Sequence, residues 1–590
     1  MNIKHLTIRN VRSFGDEVNI DFQDGLNIFI GPNAGGKSNL MDILNIVLSL
    51  FFIHPWRIIT ELDNETGFIT RQYFQSRKDQ FFNPISRFLD KHHKRPNEDQ
   101  EIKITFKPEI EDVENINILL NSVEKLITFE NKIYSSNYIK SFSDLLKDFN
   151  INELEDKILD YTIKNYNIDC KDIYHQIFLN YLNNFELYSL LITEYNKSRG
   201  DQEKIQELFP PLIYFSPYRI TSIRNLVINI SRTNYFDLIE KYKKSDSKNI
   251  SSTFELAIYY FANKFLYSKD DNRLFCQDEE VKFVQEYLKK LGYNDFAFQL
   301  TNQPRNREEN IYEAILTKED GERIEILKAS SGEKEILNLL LGIFAFNVKN
   351  GVIIIDEPDI HLHPKWQNIL LQLFYDLSKK RGIQFFIVTH SPHFVTRESI
   401  KNVIRVYRKN GESKVVFPPV LDETEKDLFQ IVNVFNNTKI FFADKVVLVE
   451  GEVDNIIFNS ILKKIQQDTN STEIIEILDV KGKDNFEKFS DFLKKWQISY
   501  YIIADLDYLF DIGDIEIKSL FKSDCEKIVE NLKKKGSKDG QELCKVIEEL
   551  LKNPQIEIDN LIKLKDLLTY LRSRYQRLKE KLSQDEKNKD

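Results

Sequence analysis

The chain reads as an α/β protein of at least two domains, each built on parallel strands, and three features of the sequence lead there. Strand-like LNIFI (26–30) runs into the glycine-rich loop GPNAGGKS (31–38) and then into a helix, the order a phosphate-binding loop requires. Apolar strand runs VIII (352–355), FFIV (385–388) and VIRVY (403–407) resume the pattern far downstream. A fresh start at KVVLVEG (445–451), continued by ILDV (477–480) and YYIIADLD (500–507), alternates with helices, as in a small parallel-sheet domain.

At 590 residues the chain exceeds one ordinary core. Its 42% hydrophobic content excludes a disordered protein. The opening MNIKHLTIRN carries no apolar signal region, and LNIVLSLFFI (44–53) is too short to span a bilayer. A cytoplasmic protein with no membrane partner is expected. Cys170, Cys276, Cys525 and Cys544 are scattered without a CxxC, which argues against disulfides and a structural zinc site. The net charge of −10 leaves nucleic-acid binding open, because local Lys/Arg patches and metal-bridged carboxylates both hold phosphates.

Boundaries follow from these patterns. Residues 1–50 and 325–416 form one split domain. Residues 51–324 interrupt it as a mostly helical insertion, a possible dimerisation region, with helical apolar spacing over 112–195 and 253–291 and a strand at LIYFS (212–216). A connector (417–443), a second domain (444–520) and a helical, charged tail (521–590) complete the chain.

The loop 31–38 fits G-x-x-x-x-G-K-[ST] in full. Gly31, Gly35 and Gly36 let backbone N–H groups approach phosphates, beside Asn33. Lys37 reaches the β- and γ-phosphates, and the Ser38 hydroxyl suits Mg²⁺. The helix N-terminus adds partial positive charge. IIIDEP (353–358) ends a buried strand in two carboxylates. Asp356 is placed to hold Mg²⁺ and Glu357 to orient or deprotonate the attacking water. Thr389-His390-Ser391 follows the next apolar strand, where His390 suits a γ-phosphate sensor. His361 and His363 stand at i, i+2 in EPDIHLHP, a thin basis for a metal site, with no third ligand nearby.

The second domain carries acids. Glu450 ends an apolar strand, and Asp454 follows four positions later. Asp505 and Asp507 flank Leu506 at the end of another strand, so alternation aims both carboxylates to one side. Such hard oxygen donors gathered together call for a hard dication, Mg²⁺ or Mn²⁺.

Several of these segments carry resemblances. LKASSGEKE, with Ser331-Gly332-Glu333 at its centre, resembles the signature loop of ABC-type ATPases. That resemblance implies ATP as cofactor and a homodimer of heads, with Ser331 and Gly332 presented to the nucleotide of the other copy. IRNVRSF (8–14) resembles the start of SMC-like and RecF-like heads. Glu450 with Asp505-Leu506-Asp507, and KGKD (481–484) between them, resembles the Toprim domain. This implies Glu450 as metal ligand or acid/base and Asp505 and Asp507 as metal ligands, with Asp454 available to a second ion.

An ABC-type head followed by Toprim is similar to the overcoming-lysogenization-defect (OLD) family of bacterial nucleases, which includes Gabija-type and retron-associated anti-phage effectors. The resemblance covers about 1–50 and 325–520. It implies a metal-dependent DNA endonuclease, commonly oligomeric, gated by nucleotide state or by a defence partner such as a reverse transcriptase with its RNA/DNA, or a helicase. The alternative is an ATP-driven DNA clamp whose Toprim domain binds without cutting. A primase or topoisomerase is disfavoured by the missing cysteine set and the foreign head. Some family members carry a catalytic Lys in a C-terminal motif; no such motif stands in this tail, where Lys563 and Lys565 are the candidates.

Overall fold

The computed structural model describes residues 1–52, 56–62, 69–76, 90–133, 137–147, 149–155, 157–164, 167–197, 199, 203–215, 228–229, 251–268, 272–300, 311–360, 362–417 and 437–504. It divides into a first unit, Met1–Phe442, and a second, Ala443–Asp590. Among the described residues no helix is long and apolar enough to cross a membrane.

Two of the sheets in the first unit share the phosphate-loop helix. Strands β1 (Asn2–Arg9), β2 (Val18–Asp21), β4 (Glu101–Lys107), β5 (Leu159–Lys164) and β6 (Asn167–Asp169) make an antiparallel sheet in the order β2-β1-β4-β5-β6. The other sheet gathers β3 (Leu26–Ile30), β7 (Leu212–Phe215), β8 (Val352–Asp356), β9 (Gln384–Val388), β10 (Val403–Lys409) and β11 (Glu412–Val416) in the order β11-β10-β3-β9-β8-β7. All its pairings are parallel except the hairpin β10–β11. Ile353, Ile355, Phe385, Phe386 and Ile387 are fully buried, so these strands are apolar on both faces, and each such side chain contributes about 1.5–3 kcal/mol by burial.

Helix α1 (Lys37–Phe51) starts directly at the glycine loop and lies against the antiparallel sheet. Its Phe51 meets Phe106 and Tyr161 edge-on, at 4.9 and 5.1 Å between ring centres. The loop is thereby anchored at both ends, by β3 in one sheet and by α1 on the other.

The span 51–324 is richer in strand than its apolar spacing implies. Helices do occupy Ile110–Asn121, Val123–Ile133, Tyr138–Leu145, Ile173–Lys197, Ser251–Tyr267 and Glu279–Lys290. Yet β4, β5 and β6 extend the sheet begun by β1, and Tyr293–Leu300, Ile311–Lys318 and Arg323–Glu325 build a further antiparallel sheet. In β5 only Leu159, Tyr161 and Ile163 are buried. This period-two signal has only three buried positions and is lost inside the helical pattern around it.

In the second unit β12 (Lys445–Val449), β13 (Ile475–Asp479) and β14 (Ser499–Ile503) form a parallel sheet in the order β13-β12-β14. The register pairs Val449 with Asp479 on one side and with Ile503 on the other, so all three strands end at one edge. Helix α5 (Phe486–Lys495) buries Phe486, Phe489, Phe492 and Leu493. Helix α4 (Glu452–Thr469) buries none of its residues, and Val453, Ile456, Ile457, Ile461 and Ile465 are exposed along it.

Candidate nucleotide and metal sites

In the first unit the glycine loop takes a shape only glycine permits at two points. Gly31 and Gly36 sit at φ 142° and 113°, where L side chains are strained. A Cβ at Gly31 would collide with the Val406 carbonyl oxygen, and one at Gly36 with the Ser413 hydroxyl. The hairpin β10–β11 therefore presses on the loop from one side. Ser413 Oγ donates to the Gly35 carbonyl at 2.8 Å and the Ser413 amide to the Ser13 carbonyl at 2.7 Å. Asn39 Nδ2, in the first turn of α1, donates to Ser13 Oγ at 2.9 Å.

Lys37 is buried, and its Nζ donates to the Gly31 and Pro32 carbonyls at 2.8 and 2.9 Å. Burial pulls its ammonium down to about 8; Glu357 pulls the other way, and the buried Arg405 guanidinium adds to the fall. A cation held this way by carbonyl dipoles fits a polyphosphate, which supplies the negative charge that burial removes.

Asp356 is the last residue of β8, and Glu357 follows it in a left-handed conformation, φ 49°. This costs a non-glycine residue about 1–3 kcal/mol and is held here by the Glu357 amide donating to the Val388 carbonyl at 2.9 Å. Beyond β9, His390 Nε2 stands 3.8 Å from Glu357 Oε1. Burial lowers the His390 imidazole, Lys37 lowers it further and Glu357 opposes both. Lys37, Glu357 and His390 thus share one electrostatic neighbourhood at the C-terminal edge of β3, β8 and β9. Thr389 Oγ1 donates to Asp359 at 2.5 Å, fixing the turn that carries His390. Asn33 and Ser38 are both exposed on the loop.

The serine-rich segment 329–335 opens helix α2 (Ser331–Ala345). Ser330 rather than Ser331 is its cap: the Ser330 amide donates to Glu333 at 2.6 Å and its Oγ accepts the Glu333 amide at 3.4 Å. That leaves Ser331 exposed at the first helical position, with Gly332 buried behind it. His363 caps helix α3 (Pro364–Arg381), its Nδ1 accepting the Lys365 amide at 3.3 Å. It has a structural task, and His361 lies outside the described residues.

In the second unit Glu450 follows β12 directly, and its carbonyl accepts the Gly482 amide at 2.9 Å. The loop after β13 is thereby tied to it. Lys481, at φ 57°, pairs with Asp479 at 2.8 Å and Glu452 at 2.6 Å. Asp479 and Glu452 hold the Lys481 ammonium above its ordinary range, and Lys481 lowers the Glu452 carboxyl. Asp454 is the third residue of α4, and its Oδ2 accepts the Gly451 amide at 3.2 Å. That capping bond is a second use for the carboxylate, beside any metal. Asp505 and Asp507 lie outside the described residues, as do Lys563 and Lys565. Among the described residues no three acid, His or Cys side chains form a metal-holding group. The fit to a dication rests on Glu450 and on β14, whose register delivers the chain to the same edge at Ala504.

Ser13, Asp359 and Lys481 lie in the quoted stretches IRNVRSF, EPDIHLHP and KGKD without a role of their own there, and Asn39 follows the glycine loop directly. Arg405, Ser413 and Asp479 reach the sites only through packing against elements distant in the chain, so spacing carries no signal for them.

Residues 1–395 match the family model described as AAA ATPase domain, and residues 441–507 match the overcoming lysogenization defect protein-like TOPRIM domain. The "Old nuclease" of Escherichia phage P2 is 29% identical over 186 residues, 30% of this chain and 32% of that protein. The "OLD nuclease" of Thermus scotoductus is 28% identical over 181 residues, 29% and 34% of the two chains. An "Endonuclease GajA" of Bacillus cereus is 24% identical over 444 residues, 69% of this chain and 56% of that one. The alignments with the first two span about a third of those relatives' length.

Proposed function

The chain belongs to the AAA ATPase domain family, and from that premise we propose that it is an ATP-binding and ATP-hydrolysing, divalent-metal-dependent DNA endonuclease of anti-phage defence. Its cutting is gated by nucleotide state or by a partner protein. The observation that carries the reading is the pairing of Lys37, Glu357 and His390 around one glycine loop with a separate TOPRIM-type edge where Glu450 meets the end of β14.

In the head, the loop amides and Lys37 bind the phosphates, and Ser38 and Asp356 would hold Mg²⁺. Glu357 orients and deprotonates water, and His390 contacts the γ-phosphate. Ser331 and Gly332 are presented to the nucleotide of a second copy, which makes the active head a homodimer. In the second unit Glu450, Asp505 and Asp507 would hold a dication, Mg²⁺ or Mn²⁺, with Asp454 serving a second. A bound dication supplies charge neutralisation at the phosphodiester and an acidified water. The Lys481–Asp479–Glu452 pairs and the Gly482–Glu450 bond keep the Glu450 loop in place.

A supercoiled plasmid incubated with the protein and Mg²⁺ or Mn²⁺ tests this. Nicking or linearisation is expected from wild type. Asp505→Ala/Asp507→Ala should reduce cutting to background with ATP turnover retained. Equal cutting by the double variant would remove the TOPRIM site from the reaction.

A further inference from the structure

The loop after β13, at the acid-bearing edge of the second unit, is fixed from several sides. The Val480 amide donates to the Val449 carbonyl and the Gly482 amide to the Glu450 carbonyl, both at 2.9 Å. Asn485 Nδ2 donates back to the Val480 carbonyl at 2.9 Å. Asp479, at the end of β13, accepts the Lys481 amide on one oxygen at 2.9 Å and pairs with the Lys481 ammonium through the other at 2.8 Å. Inside this frame Lys481 takes φ 57°. Such a left-handed backbone is strained for a residue with a long side chain, and it persists where the surroundings over-determine it, above all at functional sites. Glycine would sit there without strain, yet the chain places a lysine.

Two carboxylates share the Lys481 ammonium, and they are unlike. The Asp479 side chain is 11% exposed and that of Glu452 78%. The Asp479 contact belongs to the frame. The Glu452 contact, at 2.6 Å, stands in water, where an ion pair contributes little and exchanges readily. Around the ammonium, Glu450 follows β12, Asp479 ends β13, and Glu452 and Asp454 open α4. DNA carries one negative charge per about 1.7 Å of its axis. Its phosphates can settle on so acidic an edge only where cations outweigh the repulsion. Lys481 is a cation fixed at that edge, one residue from the amide bonded to Glu450. The space beside it is open, since a Cβ on Gly482 would meet no described atom within 4 Å.

We infer that Lys481 binds a DNA backbone phosphate at this edge, with Glu452 holding the ammonium while DNA is absent; the inference rests on the nuclease reading above. An arriving phosphate takes the place of Glu452 on the ammonium, and Asp479 stays. The contact is sequence-independent, because it reads charge and not a base edge. The strained loop holds the cation in position before DNA arrives, so less side-chain freedom is lost on binding than for a lysine on an open surface.

The test is binding of a fluorescein-labelled DNA duplex to the full chain, read by anisotropy over a series of salt concentrations with Ca²⁺ in place of Mg²⁺. Lys481→Gln should weaken binding about three- to tenfold, equally for duplexes of different sequence, and lower the slope of log affinity against log salt by about 1. Lys481→Arg should keep the wild-type slope. Glu452→Gln removes the competing carboxylate and should act in the opposite direction, tightening binding. Lys481→Gly relieves the backbone and should bind as weakly as Lys481→Gln, because the charge and not the turn holds the phosphate; it also keeps the test open if Lys481→Gln does not fold. Wild-type affinity and slope in Lys481→Gln and Lys481→Gly overturn the inference. So does weaker binding in both Lys481→Gln and Glu452→Gln, which would make the pair a strut for the loop. In either case a wild type that still cuts plasmid leaves the nuclease reading standing. Wild type that neither binds the duplex nor cuts plasmid overturns that reading itself.

Discussion

Lys37 is a buried ammonium whose nearest partners are carbonyl dipoles, and this has consequences for pH. Its folded pKa of about 8 lies below the ordinary lysine value of 10.5. Between those values the unfolded chain binds more protons, so this group's contribution to stability rises with pH from about 8 to 10.5. Nucleotide binding runs the other way. Phosphates favour the charged lysine, so binding takes up a proton near pH 8, and affinity falls as pH rises above 8. Calorimetry in buffers of different ionisation enthalpy should show this uptake at pH 8–9, and Lys37→Met should abolish it. Glu357 carries the second expectation at this scale. Glu357→Gln keeps the shape of the strained turn and removes the base, so ATP turnover should fall about 10²–10⁴-fold with binding kept. Filter-retained nucleotide and phosphate release, measured together, check it; unaltered turnover would remove Glu357 from the water-activating role.

Helix α2 is set at its start by the Ser330–Glu333 reciprocal bonds, and Tyr293 also donates to Glu333. Ser330→Ala should lower stability by about 1 kcal/mol, read as a shift in the denaturation midpoint. If Ser331→Ala gives the same loss, Ser330 is not the cap. That cap was not read from the sequence, whereas other elements were legible because short-range chemistry writes them: a glycine loop between strand and helix, and an acid pair ending an apolar run. The hairpin β10–β11 was legible only as strand. Nothing in VIRVYRKNGESKVV says that Ser413 will close on Gly35, because that contact spans 378 residues and depends on β10 docking beside β3. Strand β5 was hidden for a related reason, since its partner β4 lies more than fifty residues earlier and only the sheet gives its alternation meaning.

At the scale of the molecule, two chemistries sit in two separately built units, so each should survive loss of the other. Asp505→Ala/Asp507→Ala should spare ATP turnover, and Lys37→Met should spare the metal response of the second unit. If the head gates the nuclease, plasmid cutting at fixed free Mg²⁺ should change with ATP; equal rates with and without nucleotide would reject gating. The Glu450 edge was readable in the chain as an acid after a strand, but its tie to Gly482 emerged only from the parallel order β13-β12-β14. Helix α4 adds a consequence of another kind. It offers half-buried side chains such as Phe458 and Leu462 and, along it, bare isoleucines such as Ile456, Ile461 and Ile465, so it is oily around most of its circumference. The chain carries that surface exposed, so clumping can mimic a lost catalytic group, and light scattering has to accompany any cutting assay.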